Sequence, residues 1–257
     1  MRIQGVFAVS ALFLLPVLSL AGGCSSSSST QDTGLTTGGS GDVQGHDANP
    51  YGVAYPSANL GTKASTSNPT MDIVGKPGNI MSNFKFLGYP GGDMTKGTQE
   101  VSLADFYDPQ HKTYKLIHIQ AAGTWCVWCQ RETQATVPVY QKLSGEGVVW
   151  LTAVVEGPSP GSAASQKDLD NWVTRYKPTF TNVVDPGNHN LGAFFMAGGL
   201  PWNANVDPAT MEILSAGEGA PSSDGSSVTS MDVENEVEPW IGFLAKHPAD
   251  PATGLRK

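Results

Sequence analysis

The chain has 257 residues, enough for one domain of ordinary size with tails, or for two small ones. Its apolar share is 39%, low for a chain compact along its whole length, and thirty glycines with eighteen prolines assign much of it to loops and linkers. The formal net charge of −8 argues against nucleic acid, or an anionic membrane surface, as a partner held by charge.

Residues 1–23 read as an export signal. Arg2 supplies a weakly positive start, and Val6 to Leu20 is a fifteen-residue apolar run broken only by Ser10, Pro16 and Ser19. That is short for a membrane span and fits the core of a signal peptide. Ala21-Gly22-Gly23 followed by Cys24 resembles the lipobox of bacterial lipoproteins, with Ala21 where leucine is commonest. The resemblance implies lipid on Cys24 and attachment to a bacterial membrane facing the periplasm. The alternative is an ordinary signal peptide with an incidental cysteine. Residues 24–68 are rich in Ser, Thr, Gly, Asn and Asp and poor in large apolar side chains. Such a segment buries too little to offset its ordering entropy, so it reads as a flexible tether with a reach of roughly 35–40 Å. The chain has three cysteines. With Cys24 lipidated, only Cys126 and Cys129 remain, and no thiol is left for a disulfide framework or a four-cysteine zinc site. An exported setting permits this pair to cycle between dithiol and disulfide.

One folded domain is expected over 69–248, with a tail over 249–257. Val101 to Phe106 reads as a short entry strand and turn, and Lys115 to Ala121 as a central strand. Cys126 to about Ser144 reads as a helix that Pro138 kinks or splits. Gly147 to Glu156 is almost wholly apolar, which suits a parallel strand covered on both faces. Ser165 to Tyr176 reads as an amphipathic helix, with Leu169, Trp172, Val173 and Tyr176 on one stripe and a capping pair in Ser165 and Asp168. Pro178 stops it. Phe180 to Val184 is a further strand, followed by a turn at Asp185-Pro186-Gly187. Ala204 to Val206 and Met211 to Leu214 flank a turn and form a hairpin. Gly217 to Ser230 reads as a polar loop, and Pro239 to Lys246 as a terminal helix with proline in its first turn. This order argues an α/β fold with a mixed sheet.

Gly123-Thr124-Trp125-Cys126-Val127-Trp128-Cys129-Gln130-Arg131-Glu132 sits after an apolar strand and opens a helix. With this signature, residues 101–246 resemble the thioredoxin superfamily, and within it the extracytoplasmic, membrane-tethered thioredoxin-like reductases. The resemblance implies a thioredoxin-like fold, a central mixed β-sheet flanked by helices. It implies a thiol–disulfide oxidoreductase acting on exported proteins, more readily a reductase than an oxidase. The implied substrates are exported protein thiols and disulfides, apocytochrome c among them, with a membrane electron-transfer partner. No cofactor, metal or nucleic acid is expected, and the chain is expected to be a monomer. Pro201, in Gly198-Gly199-Leu200-Pro201, stands where the family carries a cis-proline facing the CxxC, which makes Leu200 the substrate-contacting residue. Trp125 and Trp128 are candidate substrate contacts. An ordinary trans proline at Pro201 is the alternative.

A thiolate, not a thiol, attacks a disulfide sulfur. A helix N-terminus favours negative charge, so Cys126 is assigned as the nucleophile with a lowered pKa. Cys129, one turn on and less exposed, is assigned as the resolving cysteine. An inert structural disulfide remains open, although closing so short a loop constrains the unfolded chain little. Many thioredoxins have a buried aspartate six residues before the first cysteine. Gln120 stands there and cannot serve as a base. Glu132, three residues after Cys129, is the candidate for handling the Cys129 proton, against the alternative of a solvated helix-surface carboxylate. His118 shares a strand face with Gln120, either as a hydrogen-bonded core histidine or as a group under the site. Val127-Trp128 replaces the usual Gly-Pro, and Trp128 either extends an apolar docking surface or covers Cys126. Two other functions stay open. One is a non-enzymatic thioredoxin-like binding or metal-carrier lipoprotein. The other is a peroxiredoxin-like peroxidase, which would need a threonine three residues before the cysteine where Gly123 stands.

Overall fold

The computed structural model describes residue 49 and residues 51–58, 78–193 and 199–249. The expected signal peptide, Cys24, most of the tether and the tail beyond residue 249 lie outside the described residues. The strands are β1 (Lys85–Tyr89), β2 (Gln99–Ser102), β3 (Leu116–Gly123), β4 (Val148–Glu156), β5 (Thr181–Val184), β6 (Trp202–Val206) and β7 (Ile213–Glu218). The helices are α1 (Val127–Thr136), α2 (Tyr140–Gly145), α3 (Gln166–Tyr176) and α4 (Ser230–Lys246). The strands make one sheet in the order β2-β1-β5-β4-β3-β6-β7. β3, β4 and β5 run parallel, and the outer pairs are antiparallel.

The central strands follow from composition. β3 is buried along its whole length and β4 along all but its last residue, as strands packed on both faces require. α1 ends at Thr136 and α2 starts at Tyr140, so Pro138 splits the expected helix. α3 opens on a capping box formed by Ser165 and Asp168, and buries Leu169, Trp172, Val173 and Tyr176.

The two faces of the sheet are covered differently. Ile117, Ile119 and Ala121 of β3 join Val149, Leu151, Ala153 and Val155 of β4 in one apolar cluster, covered by Met81, Phe84, Leu103, Ala104 and Tyr55. No helix residue from α1 to α4 enters that cluster. The helices pack on the other face, where α3 meets Ala122, Val154 and Val184, and α2 and α4 meet Leu116, Trp150 and Phe180.

Three expectations need correction. First, the strand β1 was not anticipated. It pairs antiparallel with β2 on one side and β5 on the other. Gly88 permits the second contact, since a Cβ there would sit 2.3 Å from the Asn182 carbonyl oxygen. Second, the terminal helix starts at Ser230, and Pro239 lies in its interior rather than in its first turn. Thr229 and Asp232 form a capping box, and hydrogen bonds from Thr229 and Ser223 hold the Asp232 carboxyl down to about 2. Val233 and Val237 are fully buried, which outweighs the single backbone bond that Pro239 removes. Third, part of the segment assigned to the tether belongs to the folded body. Tyr55 is buried, its hydroxyl donates to the Met81 carbonyl at 3.0 Å, and its ring meets Tyr107 edge-on at 5.6 Å.

Candidate active site

β3 delivers the chain to the site. After Gly123 the backbone turns through Thr124 and Trp125, and Cys126 becomes the N-cap of α1. The turn is held from several sides. Cys126 N–H donates to the Gly123 carbonyl at 3.0 Å, Thr124 N–H to the Glu156 carbonyl at 3.0 Å, and the Gln130 amide to the Thr124 carbonyl at 2.7 Å. Trp125 and Leu200 close over Gly123, where a Cβ would lie 2.8 Å from the Trp125 indole nitrogen and 3.1 Å from a Leu200 methyl, so any larger residue would have to displace them. Cys126 and Cys129 are joined by a disulfide. Cys129 N–H donates to Cys126 Sγ at 3.1 Å, so an unpaired helix N–H points at the sulfur that would carry a thiolate.

The loop before β6 faces the pair. The Leu200–Pro201 peptide bond is cis, and Cys126 Sγ lies 3.3 Å from the Leu200 carbonyl oxygen. The Pro201 carbonyl accepts from Gly219 N–H at 2.8 Å, which ties this loop to the end of β7. Leu200 is partly buried and packs against both neighbouring apolar clusters.

Around the buried Cys126 the surface is apolar. Trp125 is 36% exposed and Val127 55% exposed. The Trp125 indole N–H donates to Glu156 Oε2 at 2.7 Å, which fixes the ring at the end of β4. Trp128 is half-buried, and the Arg131 guanidinium sits over its ring at 4.9 Å.

Beneath the pair the interior is polar. Gln120 accepts from Thr133 Oγ1 at 3.2 Å and Thr152 Oγ1 at 2.9 Å, and donates to the Cys129 carbonyl at 3.3 Å. It braces the helix that carries Cys129. Glu132 is fully buried, so the solvated-carboxylate alternative is overturned. Its Oε2 accepts from Asn203 Nδ2 at 3.2 Å, and its Oε1 lies 3.7 Å from His118 Nε2. His118 is also fully buried, stacks on Trp150 with centroids 3.8 Å apart, and has Nδ1 2.9 Å from Asn205 Oδ1. Thus both readings of His118 meet in one residue. Burial opposes charge on its ring, but Glu132, the charge of Glu236 and the Asn205 oxygen together raise its pKa above the ordinary value.

Asn203, Asn205 and Glu156 escaped the sequence reading. A signal was present for the first two. In Trp202-Asn203-Ala204-Asn205-Val206 the asparagines fall at strand period, and the register sets Asn205 opposite His118 and Asn203 opposite Gln120.

No family model matches the sequence, and no curated protein matches it. Solved structures do resemble it. The thioredoxin domain of a thiol-disulfide oxidoreductase from Bacteroides vulgatus is 18% identical, with 64% of this chain and 97% of that chain covered and a TM-score of 0.46. A secreted thiol-disulfide isomerase from Corynebacterium glutamicum is 18% identical, over 61% of this chain and 84% of that one, with a TM-score of 0.42. Peroxidoxin BcpB from Mycobacterium tuberculosis is 9% identical, over 66% and 97%, with a TM-score of 0.46. The fold assignment therefore rests on strand order and site geometry. The chain has a thioredoxin-like fold, a mixed seven-stranded sheet flanked by helices, with a CxxC disulfide at a helix N-terminus facing a cis-proline.

Proposed function

We propose that this protein is an extracytoplasmic thiol–disulfide oxidoreductase that reduces disulfides of exported proteins. One observation carries the reading: Cys126 Sγ receives a helix N–H and lies beside the Leu200 carbonyl, with Cys129 already in bonding range. In the dithiol form the Cys126 thiolate attacks a substrate sulfur, and the substrate's other sulfur leaves as a thiolate. Cys129 then gives up its proton and attacks Cys126 Sγ. The second substrate thiolate is released, two electrons have passed to the substrate, and the Cys126–Cys129 disulfide has formed. A dithiol donor reverses the last step on the protein.

The exposed Trp125 and Val127 and the half-buried Trp128 supply the apolar surface for an extended substrate segment, and the Leu200 backbone the polar contacts. Glu132 is the acceptor for the Cys129 proton. The N-terminal signal and Cys24 support export and lipid anchoring. Among the described residues no helix is long and apolar enough to cross a membrane. Exported protein thiols and a membrane electron donor are the partners this role requires.

The test is turbidimetric reduction of insulin by dithiothreitol, catalysed by the full chain, with Cys126→Ser as control. Wild type is expected to exceed the variant by at least about tenfold, the scale of a nucleophile lost from a covalent mechanism. Equal rates would reject the oxidoreductase reading.

A further inference from the structure

We propose that His118 is a positioning residue of this redox site, storing at Nε2 the proton that Glu132 takes from Cys129. The inference rests on the oxidoreductase reading and adds a second member to its proton machinery.

Four observations carry it. His118 Nε2 and Glu132 Oε1 face each other at 3.7 Å, both fully buried, and neither atom has a hydrogen-bond partner among the described residues. Two such atoms would each be costly alone, and together they form a place where one proton is well held. Next, the ring nitrogens are distinguished by their neighbours. Asn205 Nδ2 donates to Ser215 Oγ at 3.0 Å and Glu236 Oε1 at 2.9 Å, which turns Oδ1 toward His118. Nδ1 therefore carries the hydrogen in the neutral ring, and the Nε2 lone pair faces Glu132. The ring also stacks on Trp150 with 28° between the planes, which restrains its plane, while the Asn205 contact at Nδ1 sets which edge faces Glu132. Finally, Glu132 stands one helical turn beyond Cys129, on the same side of α1, and both are fully buried.

The step balances as follows. Cys129 S–H passes its proton to the Glu132 carboxylate, and the Cys129 thiolate forms the S–S bond to Cys126 as the substrate thiolate leaves. Glu132 passes the proton to His118 Nε2, leaving an imidazolium beside a carboxylate with no net charge. Re-reduction of the disulfide returns the proton to Cys129. A pair that already holds a proton is a poorer acceptor, so the resolving step should slow as pH falls through the titration of His118. The groups facing His118 are Glu132 from α1, Glu236 from α4, Asn205 from β6, Trp150 from β4 and Gln120 along β3. Glu236 and Asn203 also line a cleft of about 320 Å³ beside β7, with Ser215 to Pro221.

Two measurements on the full chain test this. In the ring nitrogen spectrum of the wild-type disulfide form, His118 Nε2 should titrate while Nδ1 stays protonated. In His118→Asn, the acid limb of the insulin-reduction profile should move to lower pH by about one unit or more, since one of two proton sites is gone. An Nε2 that carries its hydrogen when the ring is neutral, or an acid limb that does not move, would overturn the inference. Wild-type activity no better than Cys126→Ser at every pH would instead overturn the oxidoreductase reading. The spectrum needs no variant, so a misfolded His118→Asn would leave the inference exposed to refutation.

Discussion

The two faces of β3 are built from different chemistry. Ile117, Ile119 and Ala121 point into an apolar cluster that contains no residue of the four helices. His118 and Gln120 point to the helical side, among Glu132, Thr133, Thr152, Asn203 and Asn205, and they are buried just as completely. One face gains from removing apolar surface from water, in proportion to area and with little demand on orientation. The other gains little net stability, because each hydrogen bond replaces one to water, but it fixes where every polar atom points. Directional order is what holds Cys129 and the buried Glu132 carboxylate in fixed positions along α1. The CxxC sits where these two requirements meet, at the strand's end.

Substitutions on opposite faces should separate the two roles. The largest effect on stability is expected from Ile119→Ala, a cost of about 2–5 kcal/mol in urea unfolding. Its insulin reduction per folded molecule should stay near wild type, and a large loss of specific activity would blur the division between the faces. Gln120→Leu should cost less, about 1–3 kcal/mol, because it strands the Thr133 and Thr152 hydroxyls and frees the Cys129 carbonyl. It should also lower activity per folded molecule, which the apolar-face variant does not. The smallest effect is one of pH. His118 has a folded-state pKa above its unfolded value, so its stabilisation is fully present below about pH 6.5 and is lost as pH rises through the folded value. The stability difference between wild type and His118→Asn should therefore shrink from about pH 5 to about pH 9 in urea titrations. A difference that grows with pH would mean that the ring is held neutral.

Periodicity made much of the fold legible. The continuous apolar runs of β3 and β4, the stripe Leu169, Trp172, Val173 and Tyr176, and the break at Pro138 are local properties, and they fold as they read. β1 was not legible because its pattern is broken, with Leu87 at 54% exposure between buried neighbours. One of its two partners, β5, lies far along the chain. The start of α4 was hidden by Pro239, whose local meaning tertiary burial of Val233 and Val237 overrides. In the site, the cysteines and Pro201 stand together as the motif implied. Asn203 and Asn205 did not announce themselves, since asparagine is depleted in strands. Only the β3–β6 register, which sets them opposite Gln120 and His118, gives them a purpose.

The added hairpin of β1 and β2 also decides what a neighbouring molecule meets. Without it the buried strand β5, ending in Val183 and Val184, would be the edge of the sheet, with unpaired backbone open to a second chain. With it the outermost strand on that side is β2, only four residues long and carrying Gln99 and the exposed Glu100. At the other margin, Gly78 N–H and the Asn79 carbonyl both bond to Ile213, and Ile80 bridges to Glu212, so the apolar beginning of β7 is already paired. Beyond that bridge β7 runs on through Leu214, Ser215 and Ala216 and ends in Gly217 and Glu218, a glycine and a charge. Among the described residues, the margins of the sheet are therefore short, charged or already paired, while the exposed apolar side chains Trp125 and Val127 stand beside the cysteines.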